Sequence, residues 1–251
     1  IKTTREGDCF VSCSADKSAM LWRLDPLVTL GVYPTNGAVS DCAITRDGQH
    51  VFLAVRNGEI QCNRLETGER VFCNTIEKDY NPIISVETLP GDNKLILLRD
   101  RFGTLKPSCV SIYDVAMQRE ATRLFQRSNV VLARGLLALP NLYIAGDTDG
   151  NLILKDTRTS DDDAVVITAH AKKVTDIECD PYHLILGSTG MDGKAMVHDI
   201  RMPDVVVSTF EAGYPLQCIG FAPFQDYYAV GGGQEKSLMT QTQRDMTMLM
   251  T

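Results

Sequence analysis

Apolar and polar residues alternate along this chain in short runs, and glycine- or proline-containing turns break those runs at regular points. VTDIEC, from Val174 to Cys179, alternates as a strand with one buried face does. HVFLAV, from His50 to Val55, is almost continuously apolar, as a strand covered on both faces is. The Asn57-Gly58, Asp149-Gly150 and Asp192-Gly193 pairs sit between such runs and read as hairpin turns, with glycine taking the positive φ. Taken together, these signals predict strands joined by hairpins. In one stretch they fall at Val39–Ile44, His50–Val55, Glu59–Leu65 and Arg70–Asn74. In another they fall at Val130–Leu137, Leu142–Gly146, Asn151–Thr157 and Ala164–Thr168. The clearest set is Val174–Cys179, Leu184–Ser188, Ala195–Ile200 and Val205–Phe210.

These sets repeat. The phrase SCSADKSAMLWRLD, Ser12 to Asp25, returns as AVRNGEIQCNRLETGE, VSIYDVA, AGDTDGNLILKDTR, GSTGMDGKAMVHDIR and, in blurred form, VGGGQEKSLMTQTQ. With Trp22 as the marker, the equivalent positions are Asn63, Tyr113, Lys155, His198 and Thr240, at intervals of 41, 50, 42, 43 and 42 residues. A period of about 40–45 residues, with four short strands to the unit, is the signature of a propeller blade. The expected fold is all-β, a β-propeller of four-stranded antiparallel blades, as a single domain over residues 1–251. Six units are visible, spanning approximately 8–34, 38–76, 82–126, 129–168, 172–211 and 215–250. The first begins at its second strand, Cys9–Ser14, and the last stops soon after its third, with Met246–Met250 as an outer strand. Seven blades are expected in the full chain, beyond one or both ends of this sequence, and a six-bladed ring is the alternative.

The motifs resemble those of WD-repeat proteins. Tyr113-Asp114, Lys155-Asp156 and His198-Asp199 keep the aspartate of the Trp-Asp pair, Trp22 keeps the tryptophan, and Ala169-His170 stands for Gly-His. The resemblance implies a non-enzymatic protein–protein interaction scaffold within a multiprotein complex. It also implies that His170, Ser188 and Asp192 form a structural hydrogen-bond network tying a loop to a hairpin. A catalytic Ser–His–Asp reading would need an accessible Ser188 beside an oxyanion hole.

Two Asp-x-Arg boxes, Asp156-Thr157-Arg158 and Asp199-Ile200-Arg201, resemble those of WD-repeat substrate receptors of cullin-RING ubiquitin ligases, where the arginine contacts the adaptor. That sets a second reading beside the scaffold, with Arg158, Arg201, Asp156 and Asp199 at a partner. The plainer alternative is local pairing that caps the strand end. The third unit is the longest, and its extra length places Arg99, Arg101, Phe102 and Lys106 around a long hairpin tip, a combination common at interface hot spots.

Charge and composition narrow the field. A net charge of −7 and a pI near 5.1 argue against direct nucleic-acid binding. Eight cysteines without a CxxC pair read as reduced thiols, pointing to a cytoplasmic or nuclear protein. The sequence has no run of about 18 apolar residues to cross a membrane. Gly231-Gly232-Gly233 ahead of Lys236-Ser237 has the wrong spacing for a phosphate loop and reads as a hairpin. Asp161-Asp162-Asp163 reads as a solvated turn, Asp41 and Asp176 recur on first strands without completing an acidic ring, and neither a metal nor a cofactor is expected.

Overall fold

Short β-meanders follow one another along the chain, each strand pairing antiparallel with its neighbour in sequence. The computed structural model describes residues 1–76, 82–91, 93–100, 107–127, 129–136, 139, 141–159, 163–180, 184–221, 227–233 and 245–250. They fall into two compact units, 1–128 and 129–251.

The first unit holds three four-stranded sheets. They are β1 (Lys2–Thr3), β2 (Cys9–Cys13), β3 (Ser18–Arg23) and β4 (Val28–Pro34); β5 (Val39–Ile44), β6 (His50–Val55), β7 (Glu59–Arg64) and β8 (Arg70–Thr75); then β9 (Ile83–Thr88), β10 (Lys94–Arg99), β11 (Ser108–Asp114) and β12 (Arg119–Arg127). The second unit holds two more and a three-stranded sheet. These are β13 (Val130–Gly135), β14 (Leu142–Asp147), β15 (Asn151–Asp156) and β16 (Val165–Thr168); β17 (Val174–Cys179), β18 (Ile185–Gly190), β19 (Lys194–Asp199) and β20 (Met202–Glu211); then β21 (Leu216–Phe221), β22 (Tyr227–Gly232) and β23 (Asp245–Met250). The fold is all-β, and its sheets are the blades of a β-propeller.

Two expectations are corrected. The first sheet does not begin at its second strand: Lys2 pairs with Val11 and Thr3 with Phe10, so a two-residue β1, too short to show alternation, supplies the missing strand. In the last sheet, Asp245–Met250 pairs directly with β22, so it stands third in order rather than fourth and is the outermost strand described there. The Thr240 position assigned to that third strand lies outside the described residues.

Burial explains the two sequence patterns. Second strands are sandwiched: Val51, Phe52, Leu53, Ala54 and Val55 of β6 are all buried, two of them against the first sheet and two against the third. Phe52 and Ala54 meet Ile83, Val86, Leu95 and Leu97, while Val51 and Leu53 meet Val11, Leu21 and Tyr33. In the second unit, Ile144, Leu152 and Leu154 close on Ile177 and Leu186, and Ala195 and Val197 close on Leu216 and Ile219. Each buried side chain of this size is worth about 1.5–3 kcal/mol. Outer strands are half exposed, as Val205, Val206 and Val207 of β20 show.

Polar links recur at matching places within the sheets. In four sheets a residue one or two past the outer strand donates its N–H to the turn of the same sheet: Thr35 to Lys17 at 2.9 Å, Ile76 to Gly58 at 3.2 Å, His170 to Gly150 at 2.9 Å and Ala212 to Gly193 at 2.9 Å. These turn residues all have positive φ, 71° for Lys17 and 82–92° for the three glycines. Lys17 is the departure, an L-residue held where glycine belongs.

Five of the six first strands, all but β1, carry a bulge at their second residue, which is Ser40, Ile84, Val131, Thr175 or Gln217. In two of them the bulge becomes a staple. The Ser40 hydroxyl donates to the Ile83 carbonyl, and the Asp41 carboxylate accepts from Cys42 N–H at 2.9 Å and Val86 N–H at 3.1 Å. In the second unit Thr175 donates to the Leu216 carbonyl at 2.8 Å, and Asp176 accepts from Ile177 at 3.0 Å and Ile219 at 3.2 Å. A serine or threonine followed by aspartate thus fastens one blade's inner strand to the next.

Candidate interaction surface

His170 lies in the loop between β16 and β17, and Asp192 lies in the β18–β19 hairpin. Strand direction alternates, so the loop and the hairpin share one end of the sheet. The His170 Nδ1 is 3.1 Å from the Asp192 Oδ1, and its Nε2 is 2.9 Å from the Ser188 Oγ. Asp192 also accepts from the N–H of Ala171 at 2.9 Å and of Lys194 at 3.2 Å. Burial pushes the His170 ring below the ordinary imidazole range, against the opposing pull of Asp192. Burial pushes the Asp192 carboxyl up, but the Ala171 N–H, the His170 ring and the Lys194 N–H outweigh it and hold it below the carboxylate range. A neutral ring with its proton on Nδ1 satisfies both contacts, donating to Asp192 and accepting the Ser188 hydroxyl proton.

This is the donor and acceptor order of a serine-hydrolase triad, but it is sealed. Ser188 is 0% and His170 2% exposed, so no substrate carbonyl can reach the hydroxyl. The three side chains lock loop to hairpin. The first sheet holds the complementary part of the same arrangement: Trp22 Nε1 donates to Ser12 Oγ at 2.8 Å, and Ser12 occupies the strand position of Ser188. Phe10 stacks on Trp22, with ring centroids 6.0 Å apart.

Among the described residues, the other positions equivalent to Trp22, which are Asn63, Tyr113, Lys155 and His198, are buried and polar. Asn63 accepts from Gln61 at 2.8 Å and donates to the Gly68 carbonyl at 3.0 Å. The Tyr113 hydroxyl accepts from Asn74 at 3.2 Å. The Lys155 ammonium, 2% exposed, donates to the Thr159 carbonyl at 3.2 Å. His198 is 1% exposed, and its Nδ1 is buried without a hydrogen-bond partner. Burial, then the neighbouring His170, push this ring below the imidazole range as well.

Both Asp-x-Arg boxes close on themselves. Arg158 Nε donates to Asp156 Oδ1 at 2.9 Å and its Nη2 to Asp156 Oδ2 at 2.6 Å. Arg201 repeats this on Asp199 at 2.9 and 2.6 Å. Each aspartate also accepts the backbone N–H of its arginine, at 2.8 and 2.9 Å. Hydrogen bonds from Arg158 hold the Asp156 carboxyl at about 2, and those from Arg201 lower Asp199 in the same direction. The plainer expectation, local capping of the strand end, describes this geometry. The arginine stems remain on the surface, with side chains 69% and 66% exposed.

Arg99 requires a correction. It is not at a hairpin tip but the last residue of β10, 2% exposed, with Nη2 2.8 Å from Glu120 Oε1 and 3.7 Å from Cys109 Sγ. Glu120 on β12 is shared with Arg123. A guanidinium buried against a carboxylate and a thiol fixes the sheet and cannot meet a partner. Arg101, Phe102 and Lys106 lie outside the described residues, as do Asp161, Asp162, Lys236 and Ser237. Gly231 and Gly232 belong to β22, where a Cβ would lie 2.6 Å from Cys218 Sγ and 2.5 Å from the Pro215 carbonyl respectively. Those glycines serve close strand packing. Among the described residues, no group of three His, Cys, Asp or Glu could hold a metal ion, and no helix is long and apolar enough to cross a membrane.

Sequence reasoning noted Asp41 and Asp176 but sought an acidic ring. Their structural role was signalled by the preceding Ser40 and Thr175, a pairing that recurs at the same point of two units.

No family model matches the chain. Among curated proteins, it is similar over most of its length to several called eukaryotic translation initiation factor 3 subunit I. The one from Brugia malayi is 24% identical over 253 residues, covering 96% of this chain and 75% of that protein. The one from Dictyostelium discoideum is 22% identical, covering 96% and 72%. The one from Candida glabrata is 25% identical over 260 residues, again covering 96% and 72%.

Proposed function

We propose that this chain is a non-enzymatic scaffold subunit of a multiprotein complex, and that the complex is a translation initiation factor acting in the cytoplasm. The observation that carries this reading is similarity over 96% of the chain to subunit I of eukaryotic translation initiation factor 3 in a nematode, an amoeba and a yeast. The geometry supports it. The Ser–His–Asp set is sealed, the Asp-x-Arg arginines are engaged by their own aspartates, and the conspicuous polar groups hold blades together. A protein so braced presents fixed surfaces to partners. The same relatives favour this scaffold over the ubiquitin-ligase receptor.

The finer reading is a single WD-repeat domain spanning residues 1–251, with protein partners. Its support is the recurrence of the Trp22–Ser12 and Ser188–His170–Asp192 halves of one network at equivalent places.

The test is affinity purification of the tagged full-length protein from its own cells under mild salt, followed by mass spectrometry. Co-purification of the other initiation factor 3 subunits in near-equal amounts is expected. Recovery of a cullin and its adaptor, without initiation factor subunits, would overturn the proposal.

A further inference from the structure

Two Asn-Gly pairs meet where the first sheet hands over to the second. Asn36-Gly37 lies in the loop between β4 and β5, and Asn57-Gly58 lies in the β6–β7 hairpin. They are neighbours in space, since a Cβ on Gly37 would lie 3.5 Å from the Asn57 Cγ. Asn-Gly is the dipeptide most open to deamidation, because glycine has no side chain to crowd its own nitrogen and has the freest backbone. The two pairs differ in how far their reacting atoms are engaged. In the hairpin, the Gly58 N–H donates to the Val55 carbonyl at 3.0 Å, and the Asn57 Oδ1 accepts from the Glu59 N–H at 3.1 Å. Gly58 is also buried. In the loop, Asn36 is exposed and Gly37 half-buried, and among the described residues the Gly37 N–H has no acceptor. The Asn36 Nδ2 donates to Glu59 Oε2 at 3.0 Å, which ties the loop to the first residue of β7.

We propose that Asn36 is a deamidation site, and that the reaction turns the tie between this loop and the β6–β7 hairpin into a like-charge pair. The Gly37 nitrogen attacks the Asn36 Cγ, the Cγ–Nδ2 bond breaks, and a five-membered succinimide closes. Ammonia leaves with the proton of the Gly37 N–H. Water then adds to either ring carbonyl and opens the ring to aspartate or isoaspartate. One water is consumed, one ammonia is released, and nothing is oxidised or reduced. The lost nitrogen is the atom that donates to Glu59, so the hydrogen bond goes with it. A second carboxylate then stands beside that of Glu59, and the two repel. Isoaspartate in addition lengthens the backbone of a loop that joins two sheets. Asn57 is held back from the same chemistry, because its attacking nitrogen is already bound to the Val55 carbonyl and the hairpin must open first.

The test incubates the purified full-length protein in mildly alkaline buffer, folded or unfolded in guanidinium chloride, and follows its tryptic peptides by mass spectrometry. Peptide 24–46 carries Asn36 and peptide 57–64 carries Asn57, so each reports one Asn-Gly pair. In the folded protein, Asn36 is expected to convert at least about tenfold faster than Asn57. In guanidinium chloride the two convert at similar rates, which shows that the fold makes the difference. Asn36→Gln cannot close the five-membered ring, and its peptide stays unconverted. Asn36→Asp carries the product's charge and lowers the melting midpoint by about 1–3 °C, and adding Glu59→Gln restores it. The proposal is overturned if Asn57 reacts as fast as Asn36 in the folded protein, or if Asn36 reacts only in guanidinium chloride. It is equally overturned if Asn36→Asp melts with the unsubstituted protein.

Discussion

Replacing Asp192 with alanine tests the reading that the His170 network is a structural lock. The carboxylate accepts three hydrogen bonds: from His170 Nδ1 at 3.1 Å, Ala171 N–H at 2.9 Å and Lys194 N–H at 3.2 Å. Ala171 is exposed, so water replaces much of its share. The His170 side chain is 0% exposed, so its donor is left unpartnered in the interior, at a cost of about 1–3 kcal/mol. With a partial loss at Lys194, the substitution destabilises the protein by about 3 kcal/mol. For a chain of this size that lowers the melting midpoint by about 6–12 °C. Urea unfolding followed by circular dichroism measures it. A double-mutant cycle with His170→Ala isolates the pair, and a coupling above about 1 kcal/mol is expected. A loss below about 0.5 kcal/mol, or strict additivity with His170→Ala, would refute the reasoning.

Four further outcomes follow from the same geometry. Thr175→Val with Asp176→Asn weakens the staple from β17 to β21 and costs about 2 kcal/mol in urea unfolding, since both acceptors and donors sit between packed sheets. Lys17→Gly stabilises by about 1 kcal/mol, because it removes an L-residue from a positive φ that glycine takes freely, and thermal melts read the gain. The His170 and His198 rings titrate below their ordinary imidazole value in the folded state, so the unfolded chain takes up protons first as pH falls. Stability is therefore level above about pH 6.5 and declines below it, and His198→Phe makes that decline shallower in melts across pH 5–8. Arg158→Ala with Arg201→Ala leaves the melting midpoint unchanged, because each pair is at the surface and local.

The expected strands agree closely with the structure where local pattern carries enough signal. Val39–Ile44, His50–Val55 and Val174–Cys179 were legible to the residue, because alternation, an apolar run and flanking turns coincide there. The Ser188, His170 and Asp192 network was legible too, since loop and hairpin positions follow from the repeat. Arg99 was not. An arginine at the end of an apolar strand reads as solvated unless Glu120, 21 residues on, is known to lie beside it. Likewise the Asp-x-Arg boxes carry the same letters whether the arginine faces a partner or folds back on its own aspartate; a 2.6 Å contact decides it.

The strands, turns and meander order could be read from the sequence because each depends on neighbouring residues, and the period because the same local phrase recurs at 41 to 50 residues. The sequence did not determine the fastenings. Asp41 reaches Val86 N–H, Asp176 reaches Ile219 N–H, and the Cys42 thiol lies 3.9 Å from the Val11 carbonyl oxygen, each across a seam between sheets. The very short β1 exists because Lys2 and Thr3 find Val11 and Phe10, and its own two residues hold no pattern. The seam links require side chains and backbone groups tens of residues apart to arrive at hydrogen-bonding distance. That arrival is a property of the packed sheets alone.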